Sequence, residues 1–174
     1  MPLALLRHPG VVARALVRRD RDGLKEVVCS ALRGLDAGAL DRLGTEFSRT
    51  YISQRLRGDT TARLRRHREL GHTVILASAS LEPYVAPLGE LLDVHDVVCT
   101  RLEHDGDGRL TGRLRGRNCR GPEKARRVDE WLRQAGYNGA ELWCYGDSAS
   151  DDEFLAAADH PVRVDGVRIG PEPG

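Results

Sequence analysis

A chain of 174 residues is about one domain long and can bury a core of its own. Its composition, 40% hydrophobic and 30% charged with a net charge of +1, gives no reason to expect a polyanion, so neither nucleic acid nor a membrane surface is an expected partner. No run approaches the ~20 apolar residues of a membrane span, and the opening MPLALLRHPG is too short and lacks a cleavage site for a secretory leader, so the expected location is cytoplasmic.

Residues 1–70 read as helical. PGVVARALVRRD, DGLKEVVCSALRGL and AGALDRLGTEFSRTYISQRL carry apolar residues at three- and four-residue spacing, with Gly34 and Gly58 as breaks. TTARLRRHRELG follows, with Asp59 or Thr60 as N-cap and Gly71 as its stop. The period then changes. HTVILAS is a short apolar run rich in β-branched residues, the pattern of a strand buried on both faces. EPYVAPLGELL returns to helix. VHDVVCTRLEH and RLTGRLRG, around the turn DGDG, read as a hairpin. GPEKARRVDEWLRQAG is a helix with Pro122 in its first turn and Gly136 at its end. AELWCYGD is a second buried strand, SDDEFLAAAD a short helix, HPVRVD a last strand, and Gly170–Gly174 a loose tail. Strands alternating with helices from about residue 72 predict a parallel, doubly wound α/β sheet, whose ligands bind beyond the carboxyl ends of the strands.

The four cysteines, at 29, 99, 119 and 144, form no Cys-x-x-Cys pair and lie near no histidine at zinc-finger spacing, so free thiols are expected. Of the 27 basic residues only Lys25 and Lys124 are lysines. The arginine bias points to a GC-rich bacterial genome, and against it each lysine stands out.

Three elements meet the expected ligand-binding edge. Asp147 ends the apolar run ELWCYG, and Asp151 follows four residues later. Carboxylate oxygens there suit magnesium, which takes one or two carboxylates with phosphate and water. The alternative is a capped helix, with Ser148 or Ser150 as N-cap and Asp151, Asp152 and Glu153 in the first turn. Ser78 closes the first strand, where its hydroxyl and the following amides can hold a phosphate oxygen. The alternative there is N-capping of the next helix, for which Ser80 is better placed. Lys124 opens a helix and can neutralise phosphate. The alternative is an exposed helix lysine.

The order strand–Ser78, helix–Lys124, strand–Gly146-Asp147-x-x-x-Asp151 is more specific than any of its parts. In GHTVILASAS, TRLEHDGDGRLTGRLRGRNCRGPEK and YGDSASDDEFL the chain resembles the haloacid dehalogenase superfamily, in the branch similar to phosphoserine phosphatase that is called the IB subfamily. The resemblance is close over residues 60–165 and looser before them. It implies a Rossmann-like core over residues 71–174 with a β-hairpin insertion, and a helical cap region over residues 1–70. It assigns Ser78 and Ala79 with Lys124 to phosphate binding, counts Ser78 and Lys124 as catalytic, and gives Asp147 and Asp151 to Mg2+. The implied reaction is hydrolysis of a small phosphorylated metabolite through an aspartyl-phosphate. The cap sets the substrate, and offers Lys25, Arg63 and His67 as candidates. His67 and His72 also have a structural alternative, which we prefer.

The family's first motif, a hydrophobic strand ending in Asp-x-Asp-x-Thr or Ser, has no counterpart. It supplies both the nucleophile and the general acid, and its strand is the middle of the sheet. MPLALLRHPG resembles what normally follows it. Asp20-x-Asp22 has Arg18 and Arg19 before it instead of a buried strand, and Asp105 and Asp107 fall on a hairpin tip after Ser78. The expectation is a sheet with its central strand missing, leaving a gap of ~10 Å, twice the usual strand spacing, between the strands near 73–77 and 141–145. PLALL is a poor filler, being short and carrying Pro2. A phosphatase lacking an upstream segment and an inactive pseudophosphatase that binds metal and phosphate in a regulatory role both fit. A receiver-like signalling domain leaves the helical region and NCRGPEK without a role.

Overall fold

The computed structural model describes residues 21–164, 166, 168 and 169. The helix expected in PGVVARALVRRD, the segment PLALL, Asp20 and the tail 170–174 lie outside them.

Helix α1 (Arg21–Ala31) and helix α2 (Ala37–Phe47) form first. Asp36 caps α2, its carboxylate accepting from the Ala39 amide at 2.7 Å. The chain then loosens into a π-helical turn, Ser48–Ile52, tightens into a 3₁₀ turn, Ser53–Arg55, and enters α3 (Gly58–Glu69). The one long helix expected over AGALDRLGTEFSRTYISQRL is thus three pieces. Its bend lies where Ser48, fully buried, donates its hydroxyl to the Tyr84 carbonyl. The capping expectation for α3 is corrected too. Arg57 is the N-cap residue and has no side-chain cap bond. Asp59 instead pairs with the Arg57 guanidinium, and the helix begins two residues earlier than an Asp59 cap would place it.

Strand β1 (Ile75–Leu81), helix α4 (Glu82–Leu92) and strand β2 (Asp96–Thr100) make a parallel βαβ unit, with Ser78 opposite Cys99. Two corrections fall here. The run VHDVVCTRLEH is not one hairpin arm: β2 pairs with β1, and only β3 (Leu102–His104) pairs with β4 (Leu110–Leu114). Ser78 does not end its strand, since pairing resumes at Leu81 opposite Thr100. Helix α5 (Pro122–Gln134) leads to β5 (Trp143–Gly146), a 3₁₀ turn (Ala149–Asp151), α6 (Asp152–Ala156) and β6 (His160–Arg163), which pairs in parallel with β5.

Two apolar clusters hold these pieces. Cys29 of α1 packs with Leu102 and Leu110 of the hairpin. The α1–α2 turn is stitched to the same hairpin, with Gly34 donating to the Leu110 carbonyl and Ala37 to the Gly108 carbonyl. Val98, Cys119 and Val128 form the second cluster, with Ile75, Ala77, Trp131 and Phe154 against it, so α5 and α6 meet the β1–β2 pair. Among the described residues β1 pairs only with β2 and β5 only with β6, and no ladder joins β1 to β5. Strand β1 is half-buried along its length, where the sequence reads as buried on both faces.

Candidate active site at the carboxyl ends of the parallel strands

Strand β5 ends in Gly146, and the next four residues turn back so tightly that Asp151 lies against it. A Cβ on Gly146 would sit 2.7 Å from the Asp151 Cβ, so only glycine allows this approach. Ser148 and Asp151 form a capping box in which the Ser148 amide donates to Asp151 Oδ2 at 3.2 Å, and the Ser148 hydroxyl lies 2.8 Å from the same oxygen and donates to it as well. The other oxygen, Oδ1, accepts from Lys124 Nζ. Both side chains are buried, Lys124 at 7% exposure and Asp151 at 5%. Burial pushes the Asp151 carboxyl up, but the Lys124 ammonium and the Ser148 donors outweigh it and hold the carboxyl below its ordinary value.

The capping reading of this turn is realised, with Ser148 as the N-cap residue and Asp151 closing the box. Asp152 is spent on Arg163. For Lys124 the alternative of an exposed helix lysine is overturned, because the turn at Gly121 carries it inward. Gly121 has φ +57°, and its amide donates to the Ser150 carbonyl at 3.1 Å, tying the start of α5 to the turn that bears Asp151. Asp147 is exposed. Its charge reaches Arg57, whose guanidinium is held protonated chiefly by the hydrogen bond to Asp59, with Asp147 adding a smaller push.

Ser78 and Ala79 lie on the neighbouring strand end. Neither Ser78 nor Ser80 caps α4: the N-cap residue is Leu81, with no side-chain cap bond. The Ser80 amide donates to Ser78 Oγ at 3.1 Å. The Ala79 carbonyl accepts from Lys25 Nζ and lies 2.8 Å from Thr100 Oγ1. Thr100, fully buried, also accepts from the Cys119 amide at 3.0 Å, and Lys25 Nζ donates to Asn118 Oδ1 at 2.6 Å. The strand end carrying Ser78 is thereby bonded to the loop that delivers Lys124. Lys124 and Asp151 are joined directly, and the Ser78–Ala79 strand end is joined to the loop before Lys124 through Thr100 and Asn118.

Sequence reasoning missed Thr100 and Asn118. The cap candidates Arg63 and His67 meet β5: His67 Nε2 lies 2.7 Å from the Tyr145 hydroxyl, and the Arg63 guanidinium lies 5.9 Å from the Tyr145 ring centre. His67 Nδ1 and His72 Nδ1 are 2.8 Å apart. Asp22 lies within α1, unlike a strand-end nucleophile. Asp105 shapes the hairpin tip, its carboxylate accepting from the amides of Asp107 and Arg109.

The pattern of the haloacid dehalogenase-like hydrolases matches residues 2–156. The chain belongs to that family. Within it, the chain is 33% identical over 142 residues to protein CicA of Caulobacter vibrioides, covering 81% of this chain and 63% of that one. It is 30% identical over 143 residues to the phosphoserine phosphatase of Archaeoglobus fulgidus, covering 80% of this chain and 39% of the relative. A crystal structure of a protein of unknown function from Bordetella pertussis Tohama I superposes with a TM-score of 0.70 at 27% identity, covering 89% of this chain and 76% of that one. The chain thus spans less than two thirds of the length of either curated relative. The chain is similar to phosphoserine phosphatases, has a Rossmann-like α/β fold, and counts phosphatases among its relatives. No helix among its described residues is long and apolar enough to cross a membrane.

The fit of a divalent cation can be judged from the donor set. No group of three or more His, Cys, Asp or Glu residues forms among the described residues. Magnesium does not need one, since it binds through one or two carboxylates and keeps its waters. The carboxylates at this end of β5 are Asp147, which is exposed, and Asp151, whose oxygens already accept from Lys124 and Ser148.

Proposed function

We propose that this hydrolase is a magnesium-dependent phosphomonoesterase acting on a small phosphorylated metabolite in the cytoplasm, with residues 71–174 as its catalytic core and residues 1–70 as its cap region. The observation that carries this reading is the buried Lys124–Asp151 pair at the end of β5. Burying two charges is costly and seldom improves stability over an apolar pair, so a buried ion pair at the ligand-binding edge of an α/β sheet supports a functional role. In this reading the Ser78 hydroxyl and the Ala79 amide hold phosphate oxygens. Lys124 balances the charge of the transferring phosphoryl group. Asp147 and Asp151 would hold magnesium, which when bound draws negative charge from the phosphate oxygens. The attacking carboxylate would form a bond to phosphorus as the ester oxygen leaves and takes a proton from a second aspartate. Neither acid stands among the described residues of the site.

The second reading is a binding domain without turnover. Both readings require a phosphate site. Calorimetric titration with inorganic phosphate, with and without magnesium, tests it. Binding should be tighter with magnesium, and Lys124→Met and Asp147→Asn should each weaken it at least tenfold. Absence of phosphate binding by the unsubstituted chain would sink both readings.

A further inference from the structure

Between the pairs Ser78–Cys99 and Leu81–Thr100, strand β1 has two more residues than β2. Ala79 and Ser80 bulge out of the ladder, and where a bulge is half-buried its peptide groups need other partners. The Ala79 carbonyl finds Lys25 Nζ and Thr100 Oγ1. No described peptide bond is cis, so the N–H of the same peptide group, that of Ser80, points the opposite way. It donates to Ser78 Oγ. A hydroxyl that accepts from one side keeps its own hydrogen for another acceptor.

Lys25 comes from α1, 54 residues before Ala79 in sequence, and it also holds Asn118, in the loop leading to Lys124. It is one of two lysines in a chain whose other basic residues are arginines, and both lysines stand at the same edge of the fold. A compact ammonium can serve two converging oxygens, the Ala79 carbonyl and Asn118 Oδ1, where a planar guanidinium fork presents its donors in a fixed spread.

We propose that Lys25 is a positioning residue: through the Ala79–Ser80 peptide plane it orients the Ser78 hydroxyl toward bound phosphate, so that phosphate affinity depends on how α1 is seated. The inference rests on the phosphate-site reading above and adds a residue that acts through Ser78.

A double-mutant cycle tests it, with inorganic phosphate as the calorimetric probe and thermal melting as the check on folding. Lys25→Met and Ser78→Ala should each weaken binding about tenfold, the scale of one charge-assisted hydrogen bond. The double variant should bind no more weakly than Ser78→Ala alone, because Lys25 has nothing to act through once the hydroxyl is gone. A direct pull of the ammonium on phosphate gives independent losses, about a hundredfold in the double variant, and overturns the proposal. So does wild-type affinity in Lys25→Met. Should Lys25→Met fail to fold, the same cycle is read with Lys25→Arg, which keeps the charge but not the point donor. If the unsubstituted chain binds no phosphate, the site reading falls first and this inference with it; phosphate binding with independent losses removes this inference alone.

Discussion

Asp151 serves two partners at once, capping its own turn through Ser148 and neutralising Lys124. Its carboxyl is held below the ordinary value against the opposing effect of burial. A carboxyl whose folded pKa is depressed contributes stability that is fully present above the unfolded value of about 4 and is lost as pH falls through the lower folded value. Thermal midpoints followed from pH 7 down to pH 2 should therefore drop in the unsubstituted chain below about pH 4. Asp151→Asn should be less stable at pH 7 by about 3 kcal/mol, because it leaves a buried ammonium unpaired. Its curve should converge on that of the unsubstituted chain in acid. Parallel curves would mean that Asp151 contributes no charge-dependent stability. The sequence shows Lys124, Asp147 and Asp151 through short spacings near strand ends, and these survive as local geometry. It hides Thr100 and the bulge at Ala79, because both depend on the register between two segments some twenty residues apart.

Helices α2 and α4 touch where α2 has no side chain. A Cβ on Gly44 would lie 2.0 Å from the Pro83 carbonyl oxygen and 2.4 Å from its carbon, so Gly44→Ala must push backbone aside. The expected cost is about 1–3 kcal/mol, read as a lower thermal midpoint. Gly58→Ala is the control. Its Cβ meets nothing within 4 Å in the first turn of α3, and it should leave the midpoint unchanged or raise it. Equal effects from the two would remove the close approach of α2 to α4 from the account. Element types were largely legible in the chain because the change of period near residue 72 is sharp. Element borders were less so. VHDVVCTRLEH is one apolar run, and what divides it is that each half finds a different partner, β1 for one and β4 for the other. The helix over residues 37–55 breaks where the Ser48 hydroxyl meets the Tyr84 carbonyl, a contact across 36 residues that periodicity does not encode.

At the scale of the whole molecule, all four cysteines are free and buried, as the spacing leads one to expect. Burial pushes the Cys99 thiol up to about 12 and the Cys144 thiol up to about 11, and it raises Cys29 and Cys119 as well. A disulfide reagent at pH 8 should leave the folded chain essentially unlabelled and modify all four thiols in denaturant. Rapid native labelling would show that the clusters around Cys29 and Cys119 are open. The family and its α/β class were legible from three short segments, whereas the separate pairing of β1 with β2 and of β5 with β6 is seen only in the structure. In the proposed reading, an attacking carboxylate is what separates phosphate binding from turnover. The direct measurement is magnesium-dependent hydrolysis of an aryl phosphate by the 174-residue chain, side by side with the same chain carrying an upstream strand that ends in Asp-x-Asp-x-Thr. The account predicts little or no turnover from the first, and from the second turnover that disappears on Asp147→Asn. Robust magnesium-dependent turnover by the 174-residue chain that survives Asp20→Asn and Asp22→Asn would contradict it.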